Sequence, residues 1–280
     1  MSLARACRLF GISRQSIYQA ESRAVKRDDE LAQVKQLVQH RRMEMPRLGT
    51  RKLYYLLKEE FLERGLKIGR DRLFAYLRAE HMLIKPKKNY TKTTNSKHWL
   101  RKHPNLLKEM SVTRPEEVFV SDITYLKSGQ RTHYLSLVTD AYSRKIMGYH
   151  LSDDLSAENT VQALKMAVNQ RENNKPLIHH SDRGLQYAAA VYQTQLQINR
   201  IKPSMTDGYD CYQNALAERI NGILKQEFLI YPCQTKKELK LLVKESIETY
   251  NNKRPHLSLS MKTPDFVHKK ACEFNFTGSD

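Results

Sequence analysis

Hydrophobic and polar positions change their period along the chain, and the change divides it. Residues 3 to 20, LARACRLFGISRQSIYQA, place apolar side chains at Leu3, Cys7 and Phe10, then Gly11, then Ile12 and Ile17. Gly11 can take the positive φ that joins two short helices, and Ser13 can cap the second. The pattern predicts a short helix-turn-helix-like segment over 1–25, with a plain helical hairpin as the competing reading. From Asp28 to Leu83 the period stays helical: Leu31, Val34, Leu37 and Val38 form one stripe, Leu53, Leu56 and Leu57 a second, and Leu73, Phe74 and Leu77 a third. Gly49 and Gly65 punctuate these helices, and Gly69 opens the last.

Residues 85–112 have little apolar periodicity, several lysines, and prolines at 86 and 104. They read as a basic linker, with Trp99 packed on a neighbouring surface. After Pro115 the period becomes short. EVFVSDITYLK, THYLSLVTDAY and SRKIMGYHLSD are three β-prone runs separated by turns such as Ser128-Gly129, which predicts an antiparallel meander. Helices fit 157–169 and 188–198, strands fit 177–180 and 201–205, and long helices fit about 213–229 and 236–250. The order predicts an α/β domain, a mixed sheet covered by helices on both faces, over 113–272. An all-α region, 28–84, precedes it.

Charge sharpens this division. The formal charge is +18, and residues 1–110 hold 26 of the 48 Lys and Arg but only 11 of the 30 Asp and Glu, an excess of +15. A compact segment with that excess repels itself unless it meets a polyanion, and nucleic acid is the commonest one. Arg70, Arg72 and Arg78 lie on the third predicted helix of this region, suited to phosphate contact or groove entry. A solvated basic face is the alternative. Cys7, Cys211, Cys233 and Cys272 are scattered without a CxxC pair, so neither a zinc knuckle nor a disulfide framework is indicated. Arg5 and Arg8 interrupt the apolar N-terminal stretch, and no apolar run reaches the roughly 18 residues of a membrane span. A cytoplasmic protein with no membrane partner is expected.

Three carboxylates carry the candidate chemistry. Asp122 lies inside the first β-run between Val120 and Ile123, where an uncompensated carboxylate is expensive to bury. Asp182 follows the run at 177–180 and precedes the turn at Arg183-Gly184, at the strand end where open sheets gather ligands. Glu218 lies in the helical stretch QNALAERINGILKQEFL, with Asn214 and Lys225 on its face. Such a set can hold magnesium through oxygen ligands. Each residue also has an ordinary explanation, as a strand-edge acceptor, a turn cap and a solvated helix charge, and Asp140, Asp207 and Asp210 are rivals by spacing alone.

The flanking words decide among these. EVFVSDITYL, HHSDRGLQY and NALAERINGILKQE, in that order, resemble the catalytic motifs of insertion-sequence-three family transposases, a bacterial branch of the retroviral-integrase-like enzymes. YNNKRPHLSLSMKTP at 250–264 resembles that family's C-terminal signature, and 35 residues separate Asp182 from Glu218, as its Asp-Asp-35-Glu pattern requires. The resemblance implies a ribonuclease-H-like catalytic core and an upstream DNA-binding helix-turn-helix. It makes Asp122, Asp182 and Glu218 the catalytic metal ligands, and Lys225 the basic residue seven positions after the Glu. Two Mg2+ ions are implied, with Mn2+ expected to substitute. Gln213 departs from the pattern, which usually has Asp there.

The expected activity is metal-dependent DNA cleavage and strand transfer on element ends and target DNA, by a homo-oligomer. The chain is expected to be a second-frame product, with an upstream-frame product as fusion or partner. Two alternatives remain: a non-catalytic DNA-binding regulator, which the basic segment would serve, and a ribonuclease H, which gives no reason for the integrase-like flanks.

Overall fold

The computed structural model describes residues 2–85, 103–207 and 214–276 of the 280. The chain forms two compact units, Met1–Lys85 and Pro86–Asp280. Most of the linker, including Trp99, and also Asp210, Cys211 and Gln213, lie outside the described residues.

The first unit is helical: α1 Leu3–Phe10, α2 Arg14–Glu44, α3 Thr50–Glu63 and α4 Arg70–Ala79. Gly11 ends α1 at φ 63, and the Ser13 hydroxyl accepts the Ser16 amide at 3.0 Å to cap α2, as their chemistry predicts. The second helix does not stop near residue 20 or mark a boundary at 25–28. It runs for 31 residues, because ESRAVKRDDE contains neither Gly nor Pro to end it. Its first half buries nothing, and Phe10 and Ile12 are exposed, so the short N-terminal pair has almost no core of its own. The core lies downstream, where Val34, Val38, Leu53, Leu57, Phe61, Leu73 and Leu77 close α2, α3 and α4 on each other. These are largely the predicted stripes. Gly65 at φ 68 ends α3, and Gly69 precedes α4.

The second unit is a five-stranded sheet in the order β3-β2-β1-β4-β5, with β1 Val118–Ser128, β2 Arg131–Asp140, β3 Ile146–Ser152, β4 Leu177–Ser181 and β5 Ile201–Met205. The first three pair antiparallel, as the meander predicts, while β4 and β5 add in parallel on the far side of β1. Along β1 the side chains alternate. Phe119 packs with α5 Ala157–Asn169, α6 Leu185–Ala188 and α7 Ala190–Ile198, through Leu164, Tyr187 and Tyr192. Val118 and Val120 face the other way, toward Ala217 of α8 Ala215–Ile223. Helices therefore cover both faces, as expected.

Three features were not foreseen. The helix predicted over 188–198 forms as α7, and a separate short turn, α6, stands before it, divided from it at Ala189 by an extended ψ of 143. The long helix after Asn214 becomes a π-helical turn at Leu224–Phe228, followed by α9 Lys236–Asn252. The chain then adds α10, Pro264–Phe276. His268 of α10 is fully buried between Glu116 and Asp140, whose carboxylates overcome the cost of burial and raise its pKa to about 9. Among the described residues, no helix is long and apolar enough to cross a membrane.

Candidate active site

The β-register brings the first two carboxylates together. Parallel pairing of β1 with β4 ends at Ser121↔Ser181, so Asp122 and Asp182 are the next residues on neighbouring strands, where the pair separates. Alternation turns Asp122 to the α8 side and Ser121 to the opposite one. There the Ser121 hydroxyl meets His179 Nε2 at 2.7 Å, and Tyr192 shares the same nitrogen at 2.8 Å. Burial pulls the His179 pKa down to about 3, so this imidazole is neutral where its Nε2 meets the two hydroxyls. His180 is bonded to Ser204 of β5 at 2.8 Å. The two histidines of HHSDRG thus brace the strands beneath Asp182.

The turn after β4 is tight. The Asp182 carboxylate accepts the Gly184 amide at 3.0 Å, and a Cβ on Gly184 would sit 3.0 Å from the same oxygen. Any side chain at 184 would crowd the carboxylate.

Glu218 comes from the first turn of α8, on an exposed position. Two amides aim this helix. Asn214 Nδ2 donates to the Ser121 carbonyl at 3.0 Å, and Asn221 Nδ2 donates to Asp122 Oδ2 at 2.7 Å. Asn214, Glu218, Asn221 and Lys225 follow at intervals of four, three and four, a single stripe on a helix. Lys225 is the second residue of the π-helical turn, a form enriched at functional sites. Asn221 was missed in the sequence. Its signal was available, because it stands three residues after Glu218 on the side that must face β1.

The electrostatics show the cost of this convergence. Burial first, then the Asp182 carboxylate, raise the Asp122 pKa to about 7, with Glu218 adding to the rise; the Asn221 amide and the Ile123 N–H oppose it. Glu218 is raised by burial and by Asp182. Lys225 is lowered by burial, while attraction to Asp122 works the other way. Among the described residues, the three carboxylates raise one another's pKa values or are raised by a neighbour, so the cluster concentrates negative charge. An all-carboxylate donor set suits a hard divalent cation.

The rival carboxylates Asp140 and Asp207 have other partners. Asp140 is fully buried and accepts the backbone N–H groups of Glu116 and Ser143 at 2.9 and 2.8 Å, so it staples a turn. Asp207 lies 3.9 Å from the Lys108 amine. In the helical unit, Arg70, Arg72 and Arg78 are all exposed on α4. Arg70 pairs with Asp71 at 2.9 Å, and Arg72 donates to the Lys67 carbonyl at 3.0 Å.

A mixed sheet with a carboxylate at each of two adjacent strands and a third on the covering helix defines the integrase-core class, and the sequence comparisons agree. Two family models, both described as "Integrase core domain", match residues 112–211 and 199–264. The uncharacterized 31 kDa protein of insertion element IS600 from Shigella sonnei is 35% identical over 270 residues, 94% of this chain and 97% of that protein. Transposase InsF for insertion sequence IS3A from Escherichia coli (strain K12) is 31% identical over 172 residues, 61% of this chain and 60% of that one. Among solved structures, a simian T-cell lymphotropic virus intasome chain shares the fold at a TM-score of 0.50 and 16% identity, over 79% of this chain and 70% of that chain. The chain belongs to the insertion-sequence-three family of transposases, and its function is that of an insertion-sequence transposase.

Proposed function

We propose that this chain is the catalytic polynucleotidyl transferase of its element, with Asp122, Asp182 and Glu218 holding two Mg2+ ions, for which Mn2+ can substitute. The observation that carries this is the set of three mutually repelling carboxylates, with Asp122 raised to about 7 by burial and by the Asp182 and Glu218 charges. When bound, the ions would supply activation of a water or DNA 3′-hydroxyl and neutralisation of charge at phosphorus. The protein's own part is to fix the carboxylates. Asn221 orients Asp122, the Gly184 amide orients Asp182, and the Asn214 anchor sets the approach of Glu218. Lys225 offers an amine on the same stripe for a substrate phosphate. In strand transfer, a 3′-oxygen bonds to phosphorus as the opposite 3′-oxygen leaves, so no covalent protein intermediate is needed.

Arg70, Arg72 and Arg78 serve the same reading as contacts to DNA phosphates, in a helical DNA-binding domain over 28–84 followed by the basic linker. Partners are the element's ends, target DNA, further copies of this chain and the upstream-frame product. The test is strand transfer with Mg2+ on end-sequence DNA. Asp122→Asn, Asp182→Asn and Glu218→Gln are expected to lose at least about 100-fold in rate with DNA binding intact. Retained activity in these variants defeats the assignment. The excess of +15 in residues 1–110 favours one other reading, a DNA-binding regulator without catalysis. Metal-dependent nicking by this chain alone rules that out.

A further inference from the structure

Beside the triad stands a buried phenol with no partner. Tyr187 is 2% exposed, and its hydroxyl has no hydrogen-bond partner among the described residues. An orphan of this kind needs an explanation. The ring cannot swing away, because it packs edge-to-face on Tyr192 at 5.3 Å and lies 6.0 Å from the His179 ring. Gly184, Gln186 and Tyr187 line a cavity of about 30 Å³ together with Asp122 and Asp182. A single water needs roughly 10–15 Å³ of such space. The cavity therefore has room for one oxygen ligand among residues that include two carboxylates and this phenol. Tyr125 lines the cavity as well, and Gln186 gives one amide hydrogen to the Leu155 carbonyl at 3.0 Å, so among these donors it is the Tyr187 hydroxyl that is recorded without a partner.

Resting on the metal reading above, we infer that the Tyr187 hydroxyl is a positioning group that donates a hydrogen bond to a water carried into this cavity by a divalent cation. Magnesium retains several waters when bound by carboxylates, and their orientation is set by groups that never touch the ion. The phenol keeps its proton for this role. Burial, Tyr192 and the Asp182 and Asp122 carboxylates all disfavour its ionisation. Tyr192 differs, because its hydroxyl is already engaged by His179.

Titration of the full chain with Mn2+, read by electron paramagnetic resonance without DNA, tests this. Tyr187→Phe keeps the ring and removes one oxygen. It is expected to weaken Mn2+ binding by about 10- to 100-fold, the usual effect of losing such an outer group. The thermal midpoint of the metal-free protein should not fall, because an orphaned polar atom has been deleted. Tyr192→Phe should leave Mn2+ affinity within about twofold, which separates this role from a merely structural one. Asp182→Asn should abolish binding. If Asp182→Asn abolishes it while Tyr187→Phe matches the unaltered protein, the inference about Tyr187 is wrong and the triad stands. If Asp182→Asn still binds Mn2+ at the same strength, the metal reading fails and this inference fails with it.

Discussion

Asn221 Nδ2 lies 2.7 Å from Asp122 Oδ2, a hydrogen bond from α8 to β1 that ties the helix carrying Glu218 to the first strand carboxylate. It fixes the rotamer of Asp122, and it favours the ionised form against burial and two neighbouring charges. Asn221→Ala should lose an interaction of the charge-assisted kind, worth about 1.5–3 kcal/mol. Metal-dependent nicking by the variant should then need higher pH, and its rate near neutrality should fall about 10-fold or more. A pH–rate profile that superimposes on the unaltered one would remove Asn221 from the site.

The raised pKa of Asp122 has a consequence for stability. A carboxyl whose folded pKa is about 7 against an ordinary 3.8 stabilises the fold while it is protonated. That contribution is complete below the unfolded value and is lost as pH rises through about 7. The metal-free protein should therefore weaken between pH 4 and pH 8, by a few kcal/mol on the scale of about 1.4 kcal/mol per unit. The proton belongs to the coupled cluster with Asp182 and Glu218 rather than to one residue. Asp122→Asn, which cannot ionise, should melt several degrees above the unaltered chain at pH 8 in a chelator, and close to it at pH 4. Equal midpoints at pH 8 would contradict the electrostatic account of the site.

Much of this site was legible because its elements are local. Asp122 sits in an apolar alternating run, Asp182 ends another, and the helix of Glu218 has a continuous stripe. The pairing Ser121↔Ser181 was not legible, since register between distant strands leaves no mark in either one. The separate turn α6 was not legible either, because LQYA is too short to carry a helical period of its own. The same blindness acted in the opposite sense on α2. Its solvated stretch has no inward face, so the periodicity argument stopped where the helix did not. The buried group of Glu116, Asp140 and His268 joins residues more than 100 positions apart, beyond the reach of any spacing rule.

Gly148 marks a close approach of sheet and helix. A Cβ there would collide with the Ala163 carbonyl oxygen and lie 2.6 Å from the Ala167 amide, both backbone atoms of α5. Neither can yield without moving the helix from β3. Gly148→Ala should cost about 1–3 kcal/mol or more, as overpacking does, and lower the denaturation midpoint accordingly. Gly222 makes the opposite case, because a Cβ there meets nothing within 4 Å and the residue is helical. Gly222→Ala should raise stability by up to about 1 kcal/mol. Urea unfolding of the two variants side by side checks both signs, and a tolerated Gly148→Ala would mean that α5 packs more loosely than these distances allow.

The C-terminal signature YNNKRPH acts at a distance from the carboxylates. Asn251 completes the edge of β3, accepting the Ile146 amide at 2.9 Å and donating to its carbonyl at 3.0 Å. Arg254, 3% exposed, forks onto both carboxylate oxygens of Glu227 at 2.8 and 2.7 Å and donates to His256 at 3.0 Å. Glu227 belongs to the π-helical turn that begins with Leu224-Lys225, so this ion pair holds the end of the stripe bearing Glu218. Removing one partner of a buried pair strands the other, at about 3–5 kcal/mol. Arg254→Ala should show that loss in chemical denaturation. Arg254→Lys should recover little, because an ammonium cannot make the fork. Adding Glu227→Gln to Arg254→Ala should restore at least about 1 kcal/mol, since the stranded charge is then gone. Strictly additive losses in the double variant would show that Arg254 contributes through packing on Tyr250 and not through Glu227.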